Sequence, residues 1–201
     1  MKFSKIISYI FHPINFPIIG SILFFLLQPT FIFRPLEHTI LAVIFIGSYV
    51  FPLVLLVMLK RFGLIHSYHM VTIEERKFPT LLFISLCYII GNWLFKTNVV
   101  DILGVFYFGY GLCLFFSYLL LYFKIKMSLH TAAVGGIISF FIYFSLHYKI
   151  NMLAVLIIFF ALSGVIASAR LRLKAHQISE VAIGFLLGTV SQFAVYLIYN
   201  M

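Results

Sequence analysis

Long apolar runs separated by short polar clusters set the pattern of this chain. Runs such as LAVIFIGSYVFPLVLLVML (41–59) and MLAVLIIFFALSGVIA (152–167) are continuous rather than alternating. A helix crossing the hydrocarbon core needs about 20 apolar residues. A β-barrel strand would instead alternate lipid-facing and lumen-facing positions. The pattern therefore predicts helices near 14–33, 38–59, 79–95, 101–123, 129–147, 150–168 and 177–199. The expected fold is all-α: a polytopic membrane helix bundle of six to seven transmembrane helices, forming one transmembrane domain over 1–201. Pro52, inside the second span, is expected to bend its helix.

Composition sharpens this picture. Of 201 residues, 64% are hydrophobic and 19% aromatic, and only five are carboxylates, too few to build a soluble surface. The opening MKFSKIISYIFHPINFPIIGSILFFLLQ has two lysines before an apolar run, but no small-residue cleavage site follows, so it is read as a retained first helix. Cys87 and Cys113 lie inside apolar runs without metal-ligand spacing and are read as packing residues.

The net charge of +9 brings no basic tract and no soluble binding module, so nucleic acid is excluded as a partner. Anionic lipid, or a lipid phosphate substrate in the bilayer, is the partner the charge favours. With seven spans, the segments 1–13, 60–78, 124–128 and 169–176 share one membrane face. They hold eleven of the fourteen Lys and Arg residues, leaving Arg34, Lys96 and Lys149 opposite. That bias places this face in the cytoplasm, as expected for an integral protein of a bacterial inner membrane.

The same face collects Glu74, Glu75 and Glu180 with His66, His69, His130 and His176. His176 and Glu180 are spaced i, i+4, so on a helix the carboxylate can hold one imidazole nitrogen and leave the other free to act as nucleophile or base. Arg170 lies about 240° further round a regular helix from His176, so the two converge only if the chain bends between spans six and seven. Glu74 and Glu75 either neutralise Arg76 and Lys77 or position Arg76. Arg172 and Lys174 are read as headgroup contacts, and His12, His38 and His147 as interfacial residues apart from the set.

The spacing R-x5-H-x3-E at Arg170, His176 and Glu180, preceded by S-x-H at Ser128 and His130, resembles the type 2 phosphatidic acid phosphatase superfamily. Its signatures are K-x6-R-P, P-S-G-H and S-R-x5-H-x3-D, and the likeness covers roughly residues 60–190. VAIGFLLG (181–188) is similar to the small-residue helix after the last signature, with Gly184 and Gly188 at a close-packing spacing. Ala169 stands where the family has Ser, Glu180 where it has Asp, Met127 where it has Pro and Leu129 where it has Gly. Arg76 matches the first signature only with Pro79 in place of a proline two positions earlier. His69 then takes the lysine's place, and Lys77 or Lys126 is a candidate for the missing cation.

The resemblance implies a metal-independent phosphatase or phosphotransferase, with no cofactor, acting on a lipid phosphate monoester or pyrophosphate. It assigns the phosphorus nucleophile to His176, its orienting carboxylate to Glu180 and the acid that later activates water to His130. Arg170, Ser128, Arg76, Lys77, Lys126 and His69 are the expected phosphate-binding residues. Two other readings compete: a catalytically degenerate protein that binds or moves anionic lipids, and a proton-coupled transporter using His130, His176 and Glu180. The latter is disfavoured because these groups lie near span ends rather than mid-membrane.

Overall fold

A computed structural model describes residues 2–66 and 72–199. It is helical throughout, and among the described residues seven helical stretches are long and apolar enough to cross a membrane. These are Lys2–Leu27, Arg34–Arg61, Ile73–Lys96, Asp101–Tyr122, Leu129–Tyr148, Leu153–Arg172 and Ile178–Ile198. The first two are broken, giving α1 (Lys2–Ile10), α2 (Phe16–Leu27), α3 (Arg34–Phe45) and α4 (Phe51–Arg61), followed by α5 (Ile73–Lys96), α6 (Asp101–Tyr122), α7 (Leu129–Tyr148), α8 (Leu153–Arg172) and α9 (Ile178–Ile198).

The first stretch starts at Lys2, earlier than the predicted 14, and ends at Leu27, earlier than the predicted 33. Lys2, Ser4, Lys5 and Ser8 dilute the hydropathy of its first turns, and Pro13 opens a short 3-10 turn over Pro13–Asn15 that separates α1 from α2. α1 is amphipathic, with Ser4 buried and Ser8 and Ile7 half-buried against the bundle while Phe3, Ile6 and Ile10 face outward. It packs along α8. In the second stretch, Ile46–Val50 forms a π-helical turn before Pro52. Pro52 has no N–H to donate to the carbonyl one turn back, and the backbone widens there instead of only bending.

α7 is the central helix, with most of its residues buried, and it packs against α6, α8 and α9. The two halves of the bundle differ in density. Towards the far membrane face, Phe24, Phe106, Phe140, Phe141 and Phe144 are fully buried and interlock, with Phe106 and Phe140 ring centroids 4.6 Å apart. Towards the face carrying the start of α7 and the end of α8, the interior is hollow.

α7 and α9 approach closely because glycines line their seam. A methyl at Gly184 would meet the Ser128 carbonyl, one at Gly188 the Ala132 carbonyl and one at Gly135 the Phe185 carbonyl. This seam fixes the start of α7 against the start of α9.

Candidate functional site

The site is built where four helix ends meet. Arg170 projects from the last turn of α8. Lys174 then adopts a left-handed conformation (φ 51°), and the Ala175 N–H donates to the Arg170 carbonyl at 3.2 Å, closing the helix and turning the chain. That turn is the bend the sequence required, and it brings His176 and Arg170 to one cavity.

α9 begins immediately afterwards with Gln177 as its N-cap. Glu180 Oε2 accepts from His176 Nδ1 at 2.8 Å and from the Gln177 N–H at 3.2 Å. A carboxylate only accepts, so Nδ1 carries the proton and Nε2 keeps its lone pair. The His176 side chain is only 6% exposed. Burial pushes its pKa below the ordinary imidazole value, Arg170 and Arg76 push the same way, and the Glu180 hydrogen bond opposes them.

The start of α7 is locked to the same place. Ser128 accepts the Thr131 N–H on its hydroxyl at 3.4 Å, as an N-cap, and donates its own N–H to the Glu180 carbonyl at 3.0 Å. Thr131 Oγ1 donates to the Val181 carbonyl at 2.9 Å. His130 is thereby held at the cavity that His176 also lines.

α1 closes the site from a third direction. The Ser8 hydroxyl lies 3.2 Å from Arg170 Nη1 and its carbonyl oxygen 3.2 Å from His130 Nε2. A carbonyl only accepts, so His130 carries a proton on Nε2. The His12 ring meets His130 edge-on at 5.5 Å and accepts the Ile14 N–H on its Nδ1. Arg170 Nε is buried and has no hydrogen-bond partner among the described residues. Such an orphaned donor is costly unless something else satisfies it.

These groups line a cavity of about 680 Å³. Its mouth carries the cations Lys5, Arg76, Lys126 and Arg170 and the imidazoles of His12, His130 and His176. Among the described residues no carboxylate lines it, and Glu180 stands behind His176. The interior below is mostly apolar, with Pro52, Leu56, Phe83, Leu86, Ile90 and Leu114 in its walls. The arrangement can therefore bind an anion attached to an apolar body.

Of the residues expected from sequence, His176, His130, Arg170, Arg76 and Lys126 come together at this cavity, and Glu180 supports His176 from outside it. Ser128 caps α7 instead of lining the cavity. Lys77 points elsewhere, with Nζ 2.8 Å from Glu74 Oε1 and 4.8 Å from the Tyr122 ring centroid. Glu75 accepts backbone N–H groups of Thr72 and His66. His69 lies outside the described residues. Lys5, Ser8 and His12 are additions: the i, i+3 spacing of Lys5 and Ser8 puts them on one face of α1, a signal present in the sequence, and His12 follows as the N-cap of the 3-10 turn. His12 is consequently not an interfacial residue apart from the set, because the turn that follows α1 places its ring against His130.

Compared with protein-family models, curated proteins and solved structures, the chain matches none.

Proposed function

We propose that this is an integral membrane phosphatase that hydrolyses a lipid phosphate monoester or pyrophosphate through a phosphohistidine. The reading is carried by one observation: a buried guanidinium nitrogen without a partner, Arg170 Nε, beside an imidazole, His176, whose Nδ1 is tied to a carboxylate. Because Nη1 of Arg170 is directed to Ser8, its Nε and Nη2 edge remains to grip a phosphoryl group in a bidentate fork. Arg76, Lys5 and Lys126 add positive charge around the equatorial oxygens, where phosphoryl transfer needs it.

In this scheme the His176 Nε2 lone pair attacks phosphorus, the bond from phosphorus to the lipid oxygen breaks, and His130, entering as the imidazolium with Nε2–H kept on the Ser8 carbonyl, gives that oxygen its Nδ1 proton. His130 then takes a proton from water, the hydroxide displaces the imidazole from phosphorus, and phosphate leaves with His176 regenerated. Glu180 holds His176 in the required tautomer and steadies the positive charge it acquires. The substrate's apolar part stays among the helices, and the charge bias favours a mouth on the cytoplasmic side.

Lipid binding without turnover is favoured by a different observation, the commitment of His130 Nε2 to the Ser8 carbonyl. One experiment separates the two. Purified protein is given phosphatidic acid, phosphatidylglycerol phosphate and polyprenyl pyrophosphate in EDTA, and both phosphate release and binding are measured. Release supports the phosphatase, whereas binding without release supports the alternative.

A further inference from the structure

The hollow half of the bundle is longer than a phosphate needs. Its lining runs on α5 from Arg76 to Ile90 and on α6 from Leu121 back to Tyr107. At about 1.5 Å per residue each path covers about 20 Å, roughly two thirds of the hydrocarbon thickness. The slot is cationic at one end only, and the remaining wall is mostly apolar, with Pro52, Leu56, Phe83, Leu86 and Leu114 alongside the hydroxyl-bearing Thr80, Tyr110 and Ser117.

The deep end is closed. A methyl at Gly47 in the π-helical turn would lie 3.1 Å from Ile90 Cδ1, so the second span presses on α5 there. Beside this contact the Tyr107 hydroxyl is engaged with Ser21 Oγ at 3.2 Å and the Pro17 carbonyl at 3.4 Å, and it is buried. Beyond it Phe24, Phe106 and Phe140 fill the interior. A straight chain descending from the mouth would meet a floor.

We infer that this slot receives the hydrocarbon tail of the anionic lipid lengthwise and that its floor at Gly47, Ile90 and Tyr107 limits tail length. The inference rests on reading the mouth as an anion site, and it deepens that reading by naming the tail as a recognised part of the ligand. A tail leaving the bilayer exchanges one apolar medium for another, so in a membrane the slot selects by fit rather than by hydrophobic gain. For a monomer taken from water, each buried methylene adds affinity until the floor is reached.

The test measures binding of n-alkylphosphonates, which cannot be hydrolysed, to the full chain held in an amphipathic polymer. Inorganic phosphate serves as the tail-free arm. Dissociation constants are expected to tighten by up to about fourfold per methylene and then to stop tightening once the chain spans about 20 Å. Ser48→Phe and Leu86→Phe, which place a ring in the slot wall, should move that break to shorter chains while leaving inorganic phosphate binding unchanged. Affinity that shows no break in the wild type overturns the inference, as does a break that stays in place in variants melting like the wild type. If neither variant folds, the wild-type series alone decides. A break in the phosphonate series with no phosphate release from the lipid phosphates given in EDTA keeps the tail slot and refutes the phosphatase, and release from those lipids without a break in the series does the reverse.

Discussion

His130 Nε2 lies 3.2 Å from the carbonyl oxygen of Ser8, across 122 residues of chain. The Ser8 hydroxyl meanwhile meets Arg170 at 3.2 Å, so one residue of the first helix anchors His130 and Arg170 together. Ser8→Ala removes a hydrogen bond to a charged group, and about a tenfold rise in KM is expected. Deleting residues 2–10 frees both partners, and kcat/KM should fall by more than about a hundredfold. Steady-state phosphate release from the two variants checks this, and full activity without α1 would remove that helix from the site.

In the proposed mechanism the His176 imidazole must be neutral to attack phosphorus. Its pKa is lowered, so activity should persist as pH falls through the ordinary histidine range near 6.5 and be lost only below it. Glu180 raises that pKa, so Glu180→Gln should move the acid limb to still lower pH. The amide also cannot hold the tautomer reliably, and kcat should drop by about 10²- to 10⁴-fold. A pH profile of kcat/KM with an acid limb above 6.5 would contradict the geometry.

Gly188→Ala puts a methyl against the Ala132 backbone carbonyl, which cannot swing aside as a side chain can. The α7 and α9 seam must open, at about 1–3 kcal/mol. Gly164 has nothing within 4 Å of its added methyl, and Gly164→Ala should melt at or above the wild-type temperature. Thermal unfolding in detergent distinguishes the pair.

Much of this arrangement was legible in the sequence because membrane burial writes long, unambiguous signals. Seven apolar runs gave seven spans, and the i, i+4 spacing of His176 and Glu180 gave their hydrogen bond. Ends were harder. Lys2, Ser4, Lys5 and Ser8 dilute the hydropathy of α1, so the first span is placed too late although the same polar residues mark an amphipathic face. The π-helical turn was not legible, since a proline alone does not say whether a helix kinks or widens. Lys77 and Lys126 look equivalent as candidate cations, although the i, i+3 spacing of Glu74 and Lys77 already offered the pair the structure shows, whereas the path of the segment between α6 and α7 that brings Lys126 to the cavity was not legible.

Ser128 illustrates the same limit from the other side. Its hydroxyl caps α7 and is fully buried. Ser128→Ala should cost about 0.5–2 kcal/mol of stability while leaving KM close to wild type. A KM rise of tenfold with unchanged melting would mean that the hydroxyl reaches substrate instead.

The central claim is a covalent bond between phosphorus and His176. Rapid quenching of the wild type with a radiophosphorus-labelled lipid phosphate in EDTA should leave label on the protein that survives base and is lost in acid. The His176→Ala variant should show neither label nor phosphate release. Full turnover by that variant, or turnover by the wild type with no labelled protein at any time point, would contradict the account.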